Sequence, residues 1–365
     1  MAATGSLQGV KLKSLLQPIM LQGHERSITK IKYNRDGDFL FSSSKDKSPC
    51  IWYADTGERL GTYENHGGTV WDIDPSWDSK YVLTACADAV ARVFMCTTGE
   101  LLFRMPHRGA VRCVAWSESN NTFATASDQF TSRDPALVSI FDFPTDMTDA
   151  LENGHLPRVE IEIEGTMNKA TCMAWGPANS FLAVGHDNGT LAKFCPKTGE
   201  CLAMIQPHTM RINTLNFNGE KTLFITASAD TDAKLFDPET LEVLKVYGTD
   251  RPVNGAVLSD LHPHVILGGG QDAMKVTTTK SSAGKFESRF YHSIYAQEFG
   301  RVGGHFGPIN SIAIHPTGRS YTSGAEDGFM RMHHFDPAYL NMSDMIPRES
   351  KQDAQEALKE VGIQA

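Results

Sequence analysis

One interval pattern constrains this chain more than any other feature. From His24 it is 22 residues to Asp46 and a further 6 to Trp52. The same two steps separate His66, Asp88 and Phe94, then His208, Asp230 and Phe236, then His305, Asp327 and His333. Three looser copies fill the gaps. His107 leads to Asp128, one residue short, with an insertion before Phe141-Asp142; Thr166, Asn188 and Phe194 form the next, and Asp250, Asp272 and Thr278 the last. The starting points are 24, 66, 107, 166, 208, 250 and 305, so four of the six spacings are 41 or 42 residues and two are stretched to 59 and 55. A repeat of this length marks stacked units, none of which buries its apolar face alone.

Within each unit the texture is β. Apolar and polar residues alternate in ITKIKY (28–33), VRCVAW (111–116) and INSIAI (309–314), followed by short runs such as DFLFSSS (38–44) and TLFITAS (222–228). Turn residues punctuate them, as in Thr56-Gly57-Glu58, Thr98-Gly99-Glu100 and Thr198-Gly199-Glu200. Four short strands fit each unit, and no strong amphipathic helix precedes residue 338. A unit of about 42 residues with this pattern resembles the WD40 repeat, and seven of them imply an all-β, seven-bladed WD40 β-propeller. Only Trp52 supplies the tryptophan of that repeat. The expected organisation is a flexible extension over 1–16, the propeller over 17–337 and a partly helical tail over 338–365. An open propeller would expose a sheet edge; residues 17–22 are expected to close it as the outer strand of the last blade.

The spacing has a physical rationale. An Asp in the tight turn between second and third strands accepts turn N–H bonds, and a His before the first strand donates to it. A serine such as Ser44 or Ser228 joins the same chain of bonds. A satisfied polar network of this kind fixes strand register. His24, Asp46, Trp52, His66, Asp88, His208, Asp230, His305 and Asp327 are therefore assigned to structure rather than catalysis.

Acidic residues outnumber basic ones 43 to 34, a net charge of −9, which argues against a broad surface that tracks nucleic-acid phosphates. Hydrophobic residues make up 41%, enough for a sizeable core. The seven cysteines are odd in number and contain no CxxC pair, which points to reduced thiols in a cytoplasmic protein. The N-terminus lacks a signal-like apolar run, and no stretch approaches the roughly 18 apolar residues of a membrane span.

VILGGGQDAMKVTTT (265–279) looks at first like a phosphate cradle. It lacks both GxxxxGK[ST] and a GxGxxG that opens a helix. It reads instead as second strand, turn at Gln271-Asp272 and third strand over 274–278, with glycines that let neighbouring blades approach. His262-Pro263-His264 and His333-His334 lack partners at zinc spacing, and no hydrolase, protease or kinase signature occurs. No metal, cofactor or catalytic residue is assigned. Residues 143–160 form an acidic loop. The stretch 279–302 is locally basic and aromatic, with Lys285, Arg289, Phe290 and Tyr291, a composition shared by blade cores and protein interfaces. The segment 348–362 is rich in helix formers.

PIMLQGHERSITKIKYNRDGD (18–38), VILGGGQDAMKVTTT (265–279), GKFESRFYH (284–292), EFGRVGGHFGPINS (298–311) and SGAEDGF (323–329) resemble the WD-repeat i-subunit family of eukaryotic translation initiation factor three. The resemblance implies a non-catalytic scaffold bound to the b- and g-subunits, within a complex on the small ribosomal subunit during scanning. It further implies that a C-terminal helix of the b-subunit docks on the fifth and sixth blades. There, Arg211, Asp230, Asp232, Lys285, Arg289, Phe290 and Tyr291 are the candidate contacts. The acidic charge suits a basic protein partner more than direct, sequence-specific binding of nucleic acid. The alternatives are a WD40 adaptor in kinase-receptor signalling or ribonucleoprotein assembly, and an enzyme that uses the central channel.

Overall fold

Seven four-stranded antiparallel sheets account for nearly all the regular structure of the described residues. The computed structural model of the chain describes residues 17–131, 134–143, 156–163, 169–270 and 286–341. The first blade runs Ile28–Tyr33, Phe39–Ser44, Cys50–Tyr53 and Arg59–Thr62 from inside outwards. The fifth runs Ile212–Phe217, Phe224–Ser228, Asp232–Phe236 and Val243–Gly248. A β-bulge between Ile28 and Lys30, followed by period-2 alternation, places Ile28, Ile31 and Tyr33 of the first inner strand in the core, with Thr29, Lys30 and Lys32 less buried. The blades share cores rather than owning them. Leu21, Ile28, Leu40, Cys50 and Trp52 pack with Ala313, Met330 and Met332 of the seventh blade, and Phe41, Ile51 and Tyr63 pack with Ile73, Val82 and Phe94 of the second. Each fully buried side chain of this size contributes about 1.5–3 kcal/mol, realised only when the neighbouring blade is in place.

Ring closure occurs as the sequence requires. Ile19–Leu21 pairs antiparallel with Met330–His334, in the register Ile19↔Met332 and Leu21↔Met330, and completes the seventh sheet from the outside. Gly57, in the outer turn of the first blade, has φ 71°, and a Cβ there would sit 2.8 Å from Ile19. This turn holds the closing strand close and tolerates no side chain.

A hydrogen bond crosses every junction between neighbouring inner strands. The first junction uses Thr29 Oγ1 to the Val70 carbonyl. Asp72 and Asp74 accept from Val114 and Trp116 N–H at 3.1 and 2.8 Å across the second. Trp175 Nε1 donates to Ala115 O across the third, at 3.0 Å, and Thr171 donates to Ile212 O across the fourth, at 2.6 Å. Asn213, Asn254 and Asn310 amides donate to Val253, Ile309 and Ile28 carbonyls across the remaining three. The ring is stitched by side chains because inner strands of adjacent blades share no backbone ladder.

The sixth blade departs from the sequence expectation. Its strands are Val253–Leu258, His264–Gly269, Phe286–His292 and Glu298–His305. The partner of the second strand is thus Phe286–His292, in the register Val265↔Tyr291, and not 274–278. Tyr291 therefore holds the aromatic place that Thr278 was expected to hold, since Trp52 pairs with Leu40 and Phe94 with Val82 at the same register. The cause is a long connection between second and third strands; Gln271, Asp272, Thr278 and the rest of 271–285 lie outside the described residues. The following turn fits this reading. Ala296 (φ 53°) donates its N–H to His292 O, as Gly57 does to Tyr53 and Gly199 to Cys195. Gly268 is a close-approach position: a Cβ there would lie 2.4 Å from Ile312 of the seventh blade.

Phe335–Ala365 forms a separate unit. Its described part contains one short helix, Pro337–Leu340, capped by Asp336, which accepts the Tyr339 N–H at 2.7 Å. The extension 1–16 and the segment 348–362 lie outside the described residues. No helix among the described residues is long and apolar enough to cross a membrane.

Candidate functional site

The repeated polar residues assemble into a relay in the first blade. His24 Nδ1 lies 2.8 Å from Asp46 Oδ2, and His24 Nε2 lies 2.7 Å from Ser42 Oγ, which also accepts from Trp52 Nε1 at 2.8 Å. The Asp46 carboxylate further accepts Glu25 N–H at 3.1 Å and Ser48 N–H at 2.9 Å, tying two loops together. The fifth and seventh blades repeat the core of this arrangement. His208 stands 2.9 Å from Asp230 and 2.8 Å from Thr226, and His305 stands 3.2 Å from Asp327 and 2.8 Å from Ser323. A hydroxyl 18 residues after the histidine is thus a third mark of the repeat; Ser42, Thr84, Thr125, Thr226 and Ser323 share that interval. Ser44 and Ser228, expected in the relay, instead accept the N–H of Asp46 and Asp230 at 3.2 Å each and fasten the turn.

The second blade breaks the pattern. His66 Nδ1 meets Tyr63 O at 3.2 Å, while Asp88 is gripped by Arg92 through contacts of 3.0 and 2.7 Å. Here the permanent cation, with its two-pronged fork, holds the carboxylate in place of the imidazole, whereas in the seventh blade His305 keeps Asp327. The cation sits two residues before the aromatic, where the first blade has Cys50, the fifth Lys234 and the seventh Arg331. The histidines respond to this substitution. Burial works against charge on His24, but Asp46 and Cys50 together outweigh it, and its pKa stands at about 9. Burial, reinforced by Arg92, pushes His66 down to about 4. For His208 burial again prevails; Asp230 opposes it, Lys234 assists it, and the pKa lies below the usual value. In the sixth blade Thr249, four residues before the inner strand, occupies the histidine place, and its neighbour Asp250, expected there, pairs instead with Arg289.

The candidate partner contacts divide. Arg211 is half exposed, on the loop before the fifth inner strand, with Asp187 3.9 Å away. Asp230 belongs to the relay, and Asp232, partly exposed, opens the third strand of the same blade. Arg289 is mostly covered and bound to Asp250. Phe290 and Tyr291 are only 1% and 4% exposed, which removes them from any contact surface of the folded chain. They sit on a third strand flanked by neighbouring blades: Phe290 meets Tyr321 edge-on at 5.5 Å, and Tyr291 meets Tyr247 at 5.9 Å. Lys285 lies outside the described residues. Sequence reading missed the apolar outer edge of the fifth blade, where Val243, Leu244 and Val246 are 38%, 42% and 45% exposed. The run LEVLKVYG (241–248) carries that signal, since a half-buried strand would alternate more strictly.

Among the described residues no three His, Cys, Asp or Glu side chains are grouped so as to hold a metal ion. The outer edge of the fifth blade offers apolar contact, with Asp232 opposite Gly248 at one end of that strand, whereas Arg211 stands before the innermost strand of the blade.

The family model described as EIF3I matches residues 16–344. A protein named eukaryotic translation initiation factor 3 subunit I from Taeniopygia guttata is 48% identical over 325 residues, 89% of this chain and 98% of the relative. Those from Nematostella vectensis and Homo sapiens are each 46% identical, again over 89% of this chain and 98% of the relative. With a relay-built seven-bladed ring and similarity that runs the length of it, the chain belongs to the family of eukaryotic translation initiation factor 3 subunit I.

Proposed function

We propose that this chain is a non-catalytic scaffold subunit of the eukaryotic translation initiation factor 3 complex. It acts in the cytoplasm, reaches the small ribosomal subunit through that complex during initiation and scanning, and binds the b- and g-subunits. The observation that carries the reading is the outer strand of the fifth blade. A β-propeller edge that leaves Val243, Leu244 and Val246 partly in water is a liability unless a partner covers it. An amphipathic helix laid along this edge would bury the three side chains, with Asp232, opposite Gly248 at the end of the strand, as a polar contact. The site needs no cofactor, since all of its recognition is apolar burial and charge pairing.

The test is sedimentation of extract that contains the tagged chain. Co-migration with small ribosomal subunits and the b-subunit is expected for the wild type, and loss of the b-subunit for Leu244→Glu and Val246→Glu with the fold retained. Migration as a free monomer throughout overturns the reading.

A further inference from the structure

The inner strands of all seven blades end around one cavity of about 490 Å³ at the mouth of the channel, from Tyr33 and Arg35 of the first blade to Ile314 of the seventh. That volume is in the range of ligand sites. Its charges are unevenly used. Lys32 is paired with Asp74 at 2.5 Å, and Lys221 is paired with Glu118 at 3.0 Å while donating to Trp175 O. Asp72 is spent on the N–H groups of Ile73 and Val114, and burial pushes its pKa upward. Two cations remain. Among the described residues no carboxylate forms an ion pair with Lys30 or Arg35, although Lys30 is close enough to influence Asp72. The Arg35 guanidinium lies 4.6 Å over the Trp77 ring, and Lys221 Nζ lies 6.0 Å from the same ring.

A guanidinium stacked on an indole keeps its in-plane N–H groups free, oriented as a fork that fits a carboxylate. We propose that this mouth binds an extended acidic peptide segment of a partner protein, with a carboxylate held by Arg35, a neighbouring apolar side chain against Trp77, and the chain directed inward toward Lys30. Nucleic acid fits less well. It brings a phosphate with every nucleotide into a cavity with two unpaired cations, in a chain of net charge −9. The site shares no residue with the outer edge of the fifth blade, so the two readings stand or fall separately.

The experiment selects a displayed library of random octapeptides on the full chain. The enriched peptides are then titrated against the wild type, Arg35→Glu, Trp77→Ala and the remote control Lys197→Glu, each checked for an unchanged unfolding midpoint. Enrichment of Asp or Glu beside an apolar residue is expected, with affinity unchanged in the control and about tenfold or more weaker in Arg35→Glu. Trp77→Ala should weaken binding as well, and it serves as the test if Arg35→Glu fails to fold. No acidic enrichment, or indifference to both mouth variants, overturns the proposal. So does a ten-residue oligouridylate that binds the wild type and is lost in Arg35→Glu.

Discussion

Replacing Asp46 by alanine removes one carboxylate and strands three donors: His24 Nδ1–H and the N–H groups of Glu25 and Ser48. The His24 side chain is 1% exposed, so its lost partner costs about 1–3 kcal/mol, while each turn N–H that water reaches costs about 0.5–1 kcal/mol. The sum is about 2–5 kcal/mol. With an unfolding entropy of about 2.1 cal/mol/K per residue over roughly 320 residues, a loss of about 3 kcal/mol lowers Tm by about 4–5 °C. A drop in Tm alone would not establish the relay, so the decisive assay is a pair of double-mutant cycles read by chemical denaturation. His24→Ala with Asp46→Ala should show a coupling of about 1–2 kcal/mol, because each residue's main partner is the other. His66→Ala with Asp88→Ala should show coupling within about 0.5 kcal/mol of zero, because Asp88 serves Arg92 instead. Asp88→Ala alone should still cost about 3–5 kcal/mol, since it leaves the Arg92 guanidinium buried without a counter-charge. Equal couplings in the two blades would refute the argument that Arg92 takes the Asp88 carboxylate from His66 in the second blade.

Acid should destabilise the ring through His264 and His333, which burial and neighbouring positive charge hold down to about 4. A depressed histidine pKa means stability that is complete above about 6.5 and is lost as pH falls toward 4, up to about 3 kcal/mol per group by denaturant titration; a flat profile over that window contradicts it. His24, raised to about 9, acts in the opposite sense. Its contribution is complete below about 6.5 and fades as pH rises through 9, so His24→Asn should remove an alkaline decline seen in the wild type. Gly268→Val should cost about 1–3 kcal/mol, because its side chain must enter space held by Ile312 and Ile309. Leu21→Ala, in the closing strand against Met330 and Met332, should cost about 2–5 kcal/mol and expose the seventh blade to limited proteolysis; unchanged cleavage would mean that the ring does not depend on its latch.

The number of blades, their order and the closing strand were all written in the intervals between His24, Asp46, Trp52 and their copies, because a turn carboxylate, its donor and an aromatic must recur at fixed strand lengths. The aromatic of the sixth blade was hidden, since the long connection before Phe286 displaced Tyr291 from its interval and let Thr278 take its place on paper. Phe290 and Tyr291 looked like contact residues for the same reason: composition reports aromatic character but not which neighbour covers it. Whether Asp88 would serve His66 or Arg92, and whether a cavity between seven strand ends would keep two cations unpaired, depend on distances across blades. Repeat spacing is a property of one blade at a time, so it determines how each sheet is built. Competition for a shared partner is settled only after distant segments have been brought together.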